Sequence, residues 1–224
     1  EQIAEKRPYM DTESGPIYSF MTLKRKLSES FEQEYYHNMS WAHLATGGVG
    51  SGMRWPFRTP HCLSAGMHDV QQGLSRFVNS GAIDWTIYSP VPVGHLLKVL
   101  REGGEHAAEI LPFGCGDGNQ ALVWLLRDPY SGSVETEPLT LILPDLQPGE
   151  YSDEFWESYS GTKVADYSFS VVAHRQHGGP RLSAEVMQAE NAYTSLSIPY
   201  FEKDIVLAIR STQLGKARGN CQEK

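Results

Sequence analysis

The residues best suited to chemistry are Asp11 and Glu13, in the run Arg7-Pro8-Tyr9-Met10-Asp11-Thr12-Glu13-Ser14-Gly15-Pro16. Glu13 follows a short strand-like stretch, and Gly15-Pro16 turns the chain away behind it. A carboxylate at a strand exit can attack an acetal carbon as a nucleophile when a second carboxyl stands about 5–5.5 Å away as acid and base. A surface or helix-capping glutamate is the structural alternative, and Asp11, alternating with Glu13, shares either fate. Further along, Gly47-Gly48-Val49-Gly50-Ser51-Gly52-Met53-Arg54-Trp55 is a glycine-dense segment ending in an aromatic. Its glycines suit a place where backbone or ligand approaches closely. Trp55 can floor a sugar subsite or pack in a core. Arg54 can bind hydroxyls or hold a carboxylate in an ion pair, and His43 or His61 can hydrogen-bond a catalytic carboxylate.

Other motifs fail on spacing. His37 and His43 are too far apart to stack on one helical face, and the set His37, His43, His61 and His68 contains no HExxH, so no metal is expected. The glycine run lacks a GxGxxG register and a following Lys-Ser/Thr, and it precedes a strand rather than opening a helix, which excludes a phosphate-binding loop. Cys62, Cys115 and Cys221 are widely spaced and read as simple thiols, with Cys115 in an expected hairpin turn, Gly114 to Gly118. The sequon Asn38-Met39-Ser40 falls inside an expected helix. No organic cofactor is required.

The elements that must hold these residues change character near residue 90. Lys6 to Asp11 reads as a short strand. Ser30, with Gln33 as its capping-box partner, starts a helix whose face is Phe31, Tyr35, Met39, Ala42 and Ala45, ended by Gly47-Gly48. Val49 to Trp55 is the next strand. Ser64 starts a second helix with Met67, Val70, Leu74 and Phe77 or Val78 inward. The order is strand, helix, strand, helix, with the polar residues at strand carboxyl ends. Ser89-Pro90-Val91-Pro92-Val93-Gly94 reads as a connector.

Beyond it come short apolar runs separated by turns: Leu96–Leu100, Glu109–Phe113, Ala121–Arg127, Leu139–Leu143, Tyr151–Trp156, Tyr167–Val172, Ser183–Met187, Ser195–Ile198 and Ile205–Ile209. That spacing predicts an antiparallel β-sandwich. Trp124, Trp156 and Tyr159 form a sugar-stacking platform if exposed and coplanar, and a scaffold if buried. The expected organisation is 1–89 as the partial α/β unit, 90–212 as the sandwich and 213–224 as a disordered tail.

The chain has 224 residues, enough for one large domain or two small ones, and a formal net charge of -8. That charge argues against nucleic acid or an anionic membrane as partner. The chain opens without Met and without a signal-peptide pattern, as a processed chain or fragment does, which leaves both secretion and the cytoplasm open.

Taken in order, the run Arg7 to Gly15, the helix bearing Trp41-Ala42-His43-Leu44 and the strand Gly47 to Trp55 resemble the last two βα units of a cellulase-like (β/α)8 glycoside hydrolase of the clan A type. Val123-Trp124-Leu125-Leu126-Arg127-Asp128, Leu146-Gln147-Pro148-Gly149-Glu150-Tyr151, Phe155-Trp156 and Ser160-Gly161 are similar to the β-sandwich that follows such barrels. The resemblance implies strands seven and eight of a barrel plus a sandwich, a β-linked glycan as substrate, and Glu13 as the retaining nucleophile. It also implies Trp55, Arg54 and His43 as substrate contacts. The acid/base glutamate of that clan follows an Asn, and this chain contains no Asn-Glu. A whole barrel takes about 250 residues, far more than 1–89 supplies. The resemblance therefore implies the carboxyl-terminal part of an enzyme whose second carboxyl lies elsewhere, and exposed sheet edges that the remainder of the barrel or an oligomer partner covers. The alternative is a non-catalytic carbohydrate-binding or structural sandwich module.

Overall fold

The computed structural model describes residues 13–14, 28–48, 53–54, 64–131, 137–144, 146–172 and 194–214. Among these the chain is mostly antiparallel sheet with two helices, an arrangement compatible with a β-sandwich. The expected strands Lys6–Asp11 and Ser183–Met187 and residues 215–224 of the tail lie outside the described residues, as do Asp11, Trp55, His61, Cys62 and Cys221.

One sheet runs in the order β3 (Val91–Pro92), β5 (Ile110–Gly116), β6 (Gln120–Arg127), β11 (Asp204–Ser211), β8 (Gly149–Glu157), β9 (Thr162–Val171). The other runs β10 (Thr194–Ile198), β7 (Leu139–Leu143), β4 (Lys98–Arg101). All of these pairings are antiparallel. The strands follow the sequence reading closely, and Leu139–Leu143 matches it at both ends.

The central strands β6 and β11 are apolar at consecutive positions rather than alternate ones because both faces of their sheet are covered. Val123, Leu125, Ile205, Leu207 and Ile209 point into the sandwich, against Val99, Leu141, Leu143 and Leu196 of the smaller sheet. Leu122, Trp124, Val206 and Ala208 point the other way, into a second core closed by two helices. These are α1 (Glu29–Ala45) and α2 (Ala65–Val78). The segment before residue 90 therefore shares a core with the sandwich. Val91–Pro92 of the expected connector pairs with Cys115 and Gly116 as an edge strand.

Helix α2 forms as its pattern predicts. Ser64 caps it by accepting from Met67 N, and Met67, Val70, Gly73 and Phe77 are buried. Helix α1 differs from its reading in two respects. Its cap is Ser28, which accepts from Phe31 N, so the helix begins one turn-half earlier than a Ser30 cap would set. Its buried face is Tyr36, His37, Ser40, Trp41 and Ala45, while Phe31 is exposed. The apolar stripe misleads here because two polar side chains occupy the inward face and have partners there.

Cys115 also departs from expectation. Gly114-Cys115-Gly116 is strand, and the turn lies at residues 117–119, where Gly118 has φ of 84°. The glycines of β5 serve close packing: a Cβ on Gly114 would lie 2.6 Å from Leu97 Cδ1.

Candidate functional site

The short strands β1 (Glu13–Ser14) and β2 (Met53–Arg54) pair in parallel, with Glu13 opposite Met53 and Ser14 opposite Arg54. Helix α1 lies between them in the chain, and a parallel pair requires a crossover connection of this length. The backbone thus brings positions 13 and 54 to neighbouring places on adjacent parallel strands. Trp55, the next residue after β2, lies outside the described residues.

His43 sits in the last turn of α1, half-buried. The helix ends as expected at two glycines: Gly47 N donates to Leu44 O and Gly48 N to His43 O. Gly47 has φ of 91°, a left-handed value that favours glycine. A Cβ at Gly48 would lie 2.3 Å from the His43 ring, so this imidazole packs on a residue without a side chain. In chain order His43 precedes β2, whereas Arg54 closes it.

A second polar cluster, which sequence reasoning missed, joins α1 to the sheet. Asp204, at the start of β11, accepts from His37 Nε2 at 2.6 Å and from Trp124 Nε1 at 3.0 Å. Its other oxygen accepts from Ser158 Oγ, which also lies 3.2 Å from His37 Nε2. The Tyr159 ring stacks on His37 with centroids 3.6 Å apart and planes at 5°. Because a carboxylate only accepts, Nε2 is the protonated nitrogen in this contact.

The residue types match a Ser-His-Asp triad, but the roles do not. Both Ser158 and His37 turn to the aspartate, so the histidine does not stand between the other two, and its Nδ1 has no hydrogen-bond partner among the described residues. Ser158 and His37 are fully buried, beyond the reach of any substrate. The cluster is a clasp that holds helix to sheet. Only a weak sequence signal marked it: an acidic residue heading an otherwise continuous apolar strand, and a histidine two residues from Tyr35 and Met39 of the apolar stripe.

The turn carrying Ser158 and Tyr159 is gripped from the other side by α2. A Cβ on Gly73 would fall 2.0 Å from Tyr159 O, and one on Gly161 would fall 2.2 Å from Gly73 O. Arg76 Nη1 donates to Ser160 O at 2.9 Å. Burial raises the Tyr159 phenol well above its usual range, helped by the nearby charges of Asp204, Glu34 and Glu157.

Of the three positions named for an aromatic binding surface, Trp124 and Trp156 are buried and Tyr159 is half-buried with its ring stacked on His37. Trp124 and Trp156 lie in the helix–sheet core, and Phe77 packs edge-on against Trp41 and Trp156 at 5.3 and 5.6 Å. Cys115 is fully buried beside the Tyr88 hydroxyl, and burial pushes its thiol up to about 11, which leaves it without nucleophilic character near neutrality. No group of three or more His, Cys, Asp or Glu placed to hold a metal ion occurs among the described residues. No helix among them is long and apolar enough to cross a membrane.

Comparison with known protein families and with curated proteins returns no significant match. Solved structures similar in backbone layout include a glycoside hydrolase at 10% identity and TM-score 0.43, with 85% of this chain and 38% of that chain covered. A family 30 endoxylanase from Clostridium papyrosolvens matches at 8% identity and TM-score 0.36, covering 91% of this chain and 42% of that one. A family 30 subfamily 8 xylanase from Clostridium acetobutylicum matches at 12% identity and TM-score 0.35, covering 92% and 43%. The chain thus spans about two fifths of the length of the solved structures it matches. At scores this low the likeness assigns neither fold nor function.

Proposed function

We propose that this chain is the carboxyl-terminal part of a retaining O-glycoside hydrolase acting on β-linked glycans, comprising the last two βα units of its barrel and the following sandwich. The observation that carries the reading is the parallel register of β1 and β2, with Glu13 opposite Met53 and Ser14 opposite Arg54 across a helical connection. Parallel strands joined through a helix bring residues of successive strands to a barrel mouth, and the register sets Glu13 level with Met53, one residue before Arg54. The order of motifs from Arg7 to Gly15 and from Gly47 to Trp55 supports the same assignment.

In this reading the Glu13 carboxylate forms a bond to the anomeric carbon as the bond to the leaving oxygen breaks, through an oxocarbenium-like transition state. A carboxylic acid from elsewhere in the parent enzyme protonates that oxygen and then takes a proton from the water that releases the sugar. Trp55 stacks on the sugar at the cleaved bond, Arg54 binds its hydroxyls, and His43 orients a hydroxyl or the nucleophile. The rest of the barrel, or an oligomer partner, covers the open edges of the β1–β2 pair. In the full-length parent, Glu13→Gln lowers turnover of an aryl β-glycoside by several orders of magnitude while the circular dichroism spectrum is kept. Near-normal hydrolysis ends the assignment.

The rival reading is a non-catalytic sandwich. The burial of Trp124 and Trp156 favours its structural form over a module that binds glycans through those indoles.

A further inference from the structure

We draw no further inference here: the strongest candidate, the partly exposed apolar surface of β9, an edge strand among the described residues on which Val164 and Tyr167 are each 54% exposed, carries nothing because nothing in the structure shows what covers it.

Discussion

The two faces of the six-stranded sheet are both covered along its central strands but are built differently. The face turned to the smaller sheet is almost wholly aliphatic and aromatic, filled by residues such as Val123, Leu125, Leu207 and Ile209. The face turned to the helices combines indoles with a buried histidine, aspartate and serine. Aliphatic packing tolerates rearrangement as long as volume is kept, whereas a carboxylate with three donors has one geometry. Strand pairing already sets the register between strands, so the inner face needs only volume. Nothing comparable sets the register of a helix on a sheet, and the clasp supplies it by tying α1 to β11, β6 and the turn after β8 through one carboxylate.

Substitutions can break this comparison, beginning with the largest effect. Asp204→Ala leaves three buried donors without an acceptor and is expected to cost about 3–5 kcal/mol, read by urea unfolding. A loss below about 1 kcal/mol, the net worth of an ordinary hydrogen bond, would show that the helices are held by apolar contact alone. Gly73→Ala comes next. Its Cβ meets the backbone oxygen of Tyr159, which cannot swing aside as a side chain can, and about 1–3 kcal/mol is expected. Thermal denaturation of that variant should also release the stacking of Tyr159 on His37, visible as a change in near-ultraviolet dichroism.

A pair of tryptophan variants sharpens the distinction between bonded and merely buried. Trp124→Phe and Trp156→Phe each remove part of an indole from the same core, but only Trp124 Nε1 has an acceptor. The first should therefore be worse than the second by about 1.5 kcal/mol, the lower range for a hydrogen bond to a charged group. Equal losses would mean that the Trp124 bond contributes nothing.

The smallest effect concerns an acidic residue that alternates with Tyr151 and Phe155 on the inner face. Asp153 is 2% exposed, its Oδ1 has no partner among the described residues, and burial, with a contribution from Asp166, raises its carboxyl above the usual 3.8. The folded chain then holds this proton more tightly than the unfolded chain. Its contribution to stability is present below about pH 4 and is lost as pH rises through the folded value. Asp153→Asn should raise the melting temperature at neutral pH and flatten its dependence above pH 4. An unchanged profile would show that this carboxyl is solvated in the folded state.

How far the fold was legible follows from the same contrast. The strands were readable because each carries local signals, such as turns at Gly103-Gly104 and Gln147-Pro148-Gly149 and unbroken apolar runs at 120–127 and 204–211. Helix α2 was readable because its inward face is apolar, whereas α1 was misread because His37 and Ser40 face inward. At the candidate site, the sequence reading set the first strand at Lys6–Asp11, outside the described residues, with Glu13 beyond its end, whereas the residues that pair with Met53–Arg54 are Glu13–Ser14 themselves. Nor could that reading anticipate the clasp.

Composition, periodicity and turn chemistry along the chain were enough to determine a largely antiparallel sheet protein with two helices near its start, and the inward face of the second of them. The partners of Asp204 were decided only by the tertiary structure, since His37, Trp124 and Ser158 lie 167, 80 and 46 residues from it in sequence. Local patterns report which side of an element is buried. A polar group becomes tolerable on that side only when a distant segment arrives with the matching donor or acceptor, and no window of neighbouring residues contains that information.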